Sequence, residues 1–191
     1  MVKLDRSFYV RDTIEAARVL LGKVLVNITN DGPISGRIVE TEAYYCGDPA
    51  AHSTRGRTPR TEVMFGEPGH AYIYIIHGIH FCMNVVSHPE GVPGGVLLRA
   101  LEPLEGIELM KRNRGLDVPN ALCSGPAKLT QALQIDKSLL GEDLLGDRLY
   151  LIDDGTEIGD IVARPRIGVS RAADRLLRFY PSNYRHWVSK P

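Results

Sequence analysis

The sequence lacks the features that mark membrane proteins, secreted proteins and disulfide-stabilised scaffolds. No apolar run approaches the ~20 residues that a membrane-spanning helix needs, and the first residues have neither the basic nor the apolar tract of a signal peptide. Cysteine is scarce: there are three, widely spaced and without a CxxC pair, so we expect reduced thiols and no disulfide. These absences predict a cytoplasmic protein that does not bind a membrane.

An excess of either charge is also missing, because 23 basic and 23 acidic residues cancel. Most DNA-binding domains are basic, so this balance disfavours a nucleic-acid partner held by bulk electrostatics alone. The positions of the charges matter more than their sum. Basic residues cluster within residues 55–60, 111–114 and 164–178. Each cluster is either a solvated surface with acidic neighbours or part of a site for an anionic partner.

The local patterns predict one domain of mixed structure. β-branched runs on both sides of residues 30–33 indicate a hairpin, and two β-rich runs around His77-Gly78 indicate a second one with His77 at its tip. Helices are predicted over 12–21, 103–114 and 126–133, and a long functional loop over 50–68. Because strands and helices mix without βαβ alternation, the fold class is α+β with a mostly antiparallel sheet.

Two carboxylates lie close together in the strand predicted over residues 36–45. Alternation along a strand puts Glu40, Glu42 and Tyr44 on one face. Two interpretations remain open for this face. It is either an exposed polar surface or part of a pocket in which a carboxylate acts as general base.

Aromatic side chains and possible metal ligands follow this strand in the sequence. Tyr72 and Tyr74 share one face of a hairpin strand, which is typical of sheet surface but also of a slot for a flat ring. His77, His80 and Cys82 are ligand types for zinc. However, His77 and His80 point to opposite faces of a strand, and their spacing is not the i, i+4 of a helical zinc pair. A zinc hydrolase is therefore kept only as an alternative.

Taken together, the motifs resemble the alkyladenine (3-methyladenine) DNA glycosylases over nearly the whole chain and in the same order. The matching segments are residues 36–44, 50–53, 58–60, 64–65, 68–69, 72–78, 81–84, 96–106, 122–129, 166–169 and 177–180. The resemblance implies one α+β glycosylase domain over residues 1–191, with a curved and mostly antiparallel sheet, a protruding β-hairpin and surrounding helices.

The resemblance also implies a function, which is monofunctional base excision without a cofactor or metal. The expected partner is double-stranded DNA that contains damaged purines, and the expected state is a monomer, associated with the nucleoid if the source is bacterial. The implied substrates are N3-methyladenine and also hypoxanthine, ethenoadenine or N7-methylguanine. The alternative from another class is a damaged-DNA binding protein without turnover, which would share the pocket but need no carboxylate.

Individual roles follow from the same resemblance. Glu42 maps to the general base, and Arg99 maps to the arginine that helps to hold the catalytic water. The residues that map to contacts with the flipped base are Tyr44, His52, Tyr74 and Asn84, of which Asn84 disfavours guanine by crowding its 2-amino group.

The DNA-contacting residues implied by the resemblance include one departure. Mammalian members have tyrosine at the hairpin tip, where this chain has His77. Imidazole is smaller and titrates near neutral pH, so we expect insertion into the duplex to be weaker or pH-sensitive. Lys128 and Lys137 map to contacts with the DNA phosphates.

Overall fold

The computed structural model of the protein describes residues 1–89 and 91–190. Its helices are α1 (Arg6–Tyr9), α2 (Thr13–Val19), α3 (Ile107–Arg114), α4 (Pro119–Leu122) and α5 (Pro126–Ala132). Its strands are β1 (Val2–Lys3), β2 (Val24–Thr29), β3 (Gly32–Tyr44), β4 (Ala71–Ile76), β5 (His80–Val86), β6 (Gly95–Glu105), β7 (Leu149–Asp153), β8 (Ile161–Arg164) and β9 (Arg178–Pro181). Short 3-10 turns occur at His52–Arg55, Glu62–Phe65, Lys137–Leu139 and Ser182–Tyr184.

The strands form one curved, nine-stranded sheet in the order β1-β7-β2-β3-β6-β5-β4, with β9 on β3 and β8 on β9. Every pairing is antiparallel, which confirms the predicted α+β class. Along one edge of β3 the partner changes from β2 to β9, and the ladder with β6 has register shifts near Ile38 and Glu40. Bulges of this kind bend a strand and redirect its side chains.

The core forms between this sheet and the helices that cover it. Residues 34–43 of β3 are all buried, because β3 lies in the middle of the sheet and is covered on both faces. Ile34, Ile38 and Leu98 come from the two central strands, and Leu20 and Leu129 come from the helical segments packed against them. Burial of these apolar side chains is the main favourable contribution to the stability of the fold.

Local sequence signals set the ends of several elements as predicted. The side chain of Asp12 accepts hydrogen bonds from the backbone N–H groups of Ile14 and Glu15 at 2.9 and 3.1 Å, and so caps α2. The prediction for residues 103–114 was wrong at its start, because β6 continues to Glu105 and α3 begins at Ile107. Pairing of β6 with β3 outweighs the local helical pattern there.

The predicted hairpin at His77-Gly78 is confirmed. Strands β4 and β5 pair from Ala71↔Val85 to Ile76↔His80. His77 and Gly78 at the tip have φ values of 50° and 75°. Positive φ at both central residues is what a type I′ turn requires, and the twist of that turn matches the twist of the paired strands. The hairpin protrudes, since His77 is exposed and Ile79 keeps 72% of its accessible surface.

The segment predicted as a long loop, residues 50–68, is irregular apart from its two 3-10 turns. It connects β3 to β4. None of the helices in residues 1–89 and 91–190 has the length and apolar character needed to cross a membrane.

Candidate active site

Two acidic side chains of β3 are completely buried. Glu40 and Glu42 both have 0% of their surface exposed, so the interpretation of this face as an exposed polar surface is wrong. They lie where β3 changes its partner from β2 to β9. Glu40 pairs with Ala100 of β6, and Glu42 pairs with Leu97 of β6 and Arg178 of β9. Burial of a charged carboxylate is costly unless it is paired and hydrogen-bonded, so the contacts of each one define the site.

Glu42 is held by three donors. The backbone N–H of Ile167 donates to Oε1 at 2.8 Å, and the hydroxyl of Tyr44 donates to Oε2 at 2.8 Å. Nη1 of Arg99 lies 3.3 Å from Oε2. Burial raises the pKa of Glu42 above its ordinary value, although Arg99 and the two hydrogen bonds act in the opposite direction. The carboxylate is therefore fixed in orientation and better able to accept a proton than an exposed glutamate.

Arg99 bridges the two carboxylates. Its Nε lies 3.5 Å from Oε1 of Glu40, while Nη1 faces Glu42. Glu40 also accepts hydrogen bonds from Nη1 of Arg178 at 2.9 Å, from the backbone N–H of Ser189 at 2.7 Å and from its hydroxyl at 2.9 Å. Arg99 in turn donates to Oγ of Ser189 at 3.1 and 3.3 Å. Positive and negative groups thus alternate through a buried network that sets the direction of Arg99.

A cluster of three rings forms beside the long loop. Tyr72 and Tyr74 of β4 stack with centroids 5.5 Å apart, and His52 packs edge-on against Tyr74 at 4.7 Å. Nδ1 of His52 is 3.0 Å from the hydroxyl of Tyr72. Burial, and then the charges of Arg60 and Arg55, lower the pKa of His52 to about 4. His52 is therefore neutral at physiological pH and is oriented by a hydrogen bond.

The base-binding set implied by the resemblance comes together around this cluster. Burial is the main cause that raises the pKa of Tyr44, and both Glu42 and Tyr74 add to it through space, so these three residues are neighbours. Asn84 of β5 is buried and donates to the backbone oxygen of Tyr72 at 3.4 Å. The arrangement combines aromatic faces with a fixed carboxylate, which is suited to holding a flat heterocycle beside a general base.

The residues implied to contact DNA lie outside this cluster. His77 is exposed at the hairpin tip, and Lys128 and Lys137 are exposed on and after α5. Helix α5 packs on the hairpin through Thr130, whose hydroxyl donates to the backbone oxygen of Phe81 at 2.9 Å.

The zinc alternative finds no support in the geometry. Cys82 is buried, whereas His77 and His80 are exposed. Within residues 1–89 and 91–190, no group of three or more His, Cys, Asp and Glu side chains is arranged to hold a metal ion.

Several residues of the site were missed by the sequence-based interpretation. Asp48 and Arg166 form a fully buried ion pair, and the guanidinium of Arg166 lies 4.6 Å from the centroid of the Tyr44 ring. Arg166 and Ile167 belong to a segment that matched the family, which was a usable signal. Ser189 and Asp48 carried no signal, because nothing local indicates that Ser189 contacts Glu40 or that Asp48 contacts Arg166, which are 149 and 118 positions away.

The chain is similar in sequence to known proteins over nearly its whole length. A family model described as methylpurine-DNA glycosylase matches residues 7–185. A protein of Carboxydothermus hydrogenoformans is 48% identical over 189 residues, which is 98% of each chain. Proteins of Mesorhizobium japonicum and Methanoculleus marisnigri are 49% and 48% identical, over 93% and 96% of this chain and 86% and 97% of their own. All three carry the name "Putative 3-methyladenine DNA glycosylase".

Proposed function

Because the chain belongs to the methylpurine-DNA glycosylase family, we propose that it is a monofunctional DNA glycosylase of base excision repair. It turns a damaged purine out of the duplex and hydrolyses its N-glycosidic bond, leaving an abasic site. The substrates are alkylated or deaminated purines, which are N3-methyladenine and also hypoxanthine, ethenoadenine or N7-methylguanine. Residues 1–191 act as one glycosylase domain, and the protein works as a monomer.

The observation that carries this proposal is the completely buried Glu42, paired with Arg99 and hydrogen-bonded to Tyr44. Burial of a charged carboxylate costs free energy. A chemical role for Glu42 beside the aromatic rings explains why the fold keeps it there. Its raised pKa suits a group that accepts a proton during the reaction.

The reaction begins with extrusion of the nucleotide, since the sugar carbon C1′ cannot be reached inside a stacked duplex. Extrusion costs a few kcal/mol, and less for a base that pairs weakly. His77 enters the space that the base leaves, as apolar and aromatic side chains do in other kinked duplexes. Lys128 and Lys137 contact phosphates and orient the duplex without reading its sequence.

The flipped purine then stacks on the rings of Tyr44, His52 and Tyr74. A methylated purine that carries positive charge stacks favourably on electron-rich faces. Asn84 disfavours guanine by crowding its 2-amino group. Neutral His52 suits this pocket, because a charged imidazolium would repel a cationic base.

Bond cleavage develops positive charge on the sugar, as in other glycosyl hydrolyses. Glu42 stabilises this charge and takes a proton from the attacking water, while Arg99 helps to hold that water. The damaged base leaves with the electron pair of the glycosidic bond. The positive charge of a methylated base makes it a good leaving group, whereas a neutral base such as hypoxanthine takes up a proton to leave.

The proposal is tested with duplexes that each carry one lesion. The wild-type protein is expected to release the base, and Glu42→Gln to release it more slowly by about 10²–10⁴-fold, the range for removal of a general base. Binding of the lesion duplex by Glu42→Gln should survive. Glu102→Gln serves as the matched control, since Glu102 lies on β6 and pairs with Arg37 instead.

Each alternative predicts a distinct outcome of the same assay. Retained release by Glu42→Gln would overturn the general-base role. Tight lesion binding without any release by the wild-type protein would favour a binding protein without turnover. A lyase would need an amine nucleophile at C1′, so a covalent adduct after borohydride reduction would overturn the monofunctional assignment.

A further inference from the structure

A buried ion pair lies behind the ring of Tyr44. The side chains of Asp48 and Arg166 are both 0% exposed. Nη2 of Arg166 donates to Oδ1 of Asp48 at 3.0 Å, while Nη1 donates to Oδ2 and also to the backbone oxygen of Ala43 at 2.9 Å. Replacement of buried ion pairs by apolar residues is often neutral or stabilising, so stability alone does not account for this one.

The position of the guanidinium suggests what else the pair does. Its carbon lies 4.6 Å from the centroid of the Tyr44 ring. Because the side chain of Arg166 is completely buried while Tyr44 is partly exposed, the guanidinium covers the inward face of the ring and leaves the other face for a ligand. The bidentate pairing fixes the guanidinium plane, and the plane fixes the ring.

The same segment also holds Glu42. Ile167 follows Arg166 directly, and its backbone N–H donates to Oε1 of Glu42 at 2.8 Å. A shift of Arg166 would therefore move a donor of the carboxylate as well as the support of the ring.

Asp48 also holds the loop that carries His52. Its Oδ1 accepts from the backbone N–H of Ala50 at 3.2 Å, and its backbone oxygen accepts from Ala51 at 2.9 Å and from the hydroxyl of Thr54 at 2.5 Å. These bonds form the turn from which His52 projects. The pair thus supports Tyr44, Glu42 and His52 together.

We propose that Arg166, held by Asp48, is a positioning and specificity residue that fixes Tyr44 and lowers the preference of its ring for cationic over neutral purines. The inference rests on the proposed function in assuming that a base stacks on Tyr44. The physical reason is that the two faces of the Tyr44 ring share one π system. A cation on the inward face draws on the same π electrons and repels a second cation on the outward face.

The test neutralises both members, so that no unpaired charge stays buried. In Asp48→Asn/Arg166→Gln we expect slower single-turnover release of both cationic N7-methylguanine and neutral hypoxanthine, because Tyr44 is less well fixed. The ratio of the cationic to the neutral rate should rise by about threefold or more, the scale of one cation–π contact. Lesion-free duplex should bind as before.

A second ion pair in the same chain supplies the matched control. Arg37 and Asp154 also form a bidentate pair, with both N···O distances 3.0 Å, and Arg37 also donates to the backbone oxygen of Gly22 at 3.0 Å. Arg37→Gln/Asp154→Asn removes the same groups away from Tyr44, so its rate ratio should equal that of the wild type. A ratio that rises equally in both double variants, or in neither, overturns the inference.

Arg166→Lys keeps the charge beside Asp48 but cannot reproduce the flat, bidentate geometry. We expect both release rates to fall by a common factor of about three to ten, so that the ratio of the cationic to the neutral rate is unchanged. This variant tests the positioning role if the double variant does not fold. Unchanged rates in Arg166→Lys would overturn the positioning role. If the wild-type protein releases none of the four candidate purines, the proposed function fails and this inference with it; if it releases a cationic and a neutral purine, only the inference is at stake.

Discussion

The backbone N–H of Ile167 donates a 2.8 Å hydrogen bond to Oε1 of Glu42, although 125 positions separate the two residues. The other oxygen faces the hydroxyl of Tyr44 and the guanidinium of Arg99. Each oxygen of the buried carboxylate therefore has its own donor. This arrangement fixes the direction of Glu42 while burial still disfavours its charged form.

The first prediction concerns the pH dependence of base release. A general base acts as the carboxylate, and burial raises the pKa of Glu42 above its ordinary 4.5. Release should therefore fall as the pH falls through a midpoint above 4.5, measured as single-turnover rates from acidic to neutral pH. An acid limb centred at or below that value would contradict the assignment.

The second prediction concerns stability. Because folding raises the pKa of Glu42, the folded state binds this proton more tightly than the unfolded state. The contribution of Glu42 to stability therefore falls as the pH rises from 4.5 through the raised pKa. We expect the melting temperature of Glu42→Gln, relative to that of the wild type, to rise as the pH rises from 4.5 to neutral. A difference in melting temperature that does not change with pH would show that the charge of Glu42 has no net cost.

The third prediction concerns His52, whose pKa burial lowers to about 4. Among the six histidines, its imidazole signal in NMR spectra should titrate near that value, identified by its loss in His52→Gln. Since the folded pKa is lower than the unfolded one, stability from this group is present at neutral pH and is lost as the pH falls from 6.5 toward 4. A midpoint near 6.5 would mean that the ring is solvated.

The fourth prediction concerns Glu40. Glu40→Gln leaves Arg99 and Arg178 with one buried negative partner fewer, and breaking such a buried pair costs about 3–5 kcal/mol. We expect this loss in denaturant unfolding, together with slower base release because Arg99 is no longer held. Glu62→Gln is the control: it breaks an exposed pair with Arg57 and should cost less than about 1 kcal/mol. Comparable losses in both variants would show that the network adds no stability.

The fifth prediction concerns the hairpin. His77→Ala removes the exposed side chain at the tip and should weaken lesion binding and slow release, whereas His80→Ala, on the neighbouring strand, should change either much less. His77→Tyr offers a larger stacking surface and should strengthen lesion binding. If His77→Ala behaves like wild type at every pH, the wedge role is wrong.

Local features were predictable because their causes are local. Asp12 caps α2 with its own side chain, and His77-Gly78 adopts the positive φ values that a tight hairpin requires. The start of α3 was not predictable in the same way. Helical periodicity extends back to Pro103, but pairing of Pro103 with Gly36 keeps this residue in β6, because a partner strand outweighs a weak local preference.

The amino-acid sequence by itself determined the fold class and the residue types of the pocket, and through the order of its motifs it indicated the family. It left open whether Glu40 and Glu42 are solvated or buried, because alternation assigns a face without saying what covers it. Only the tertiary structure decided this question. It brings Ile167, Arg178 and Ser189 onto β3 from the far end of the chain, and burial by distant segments turns two strand carboxylates into a paired and oriented site.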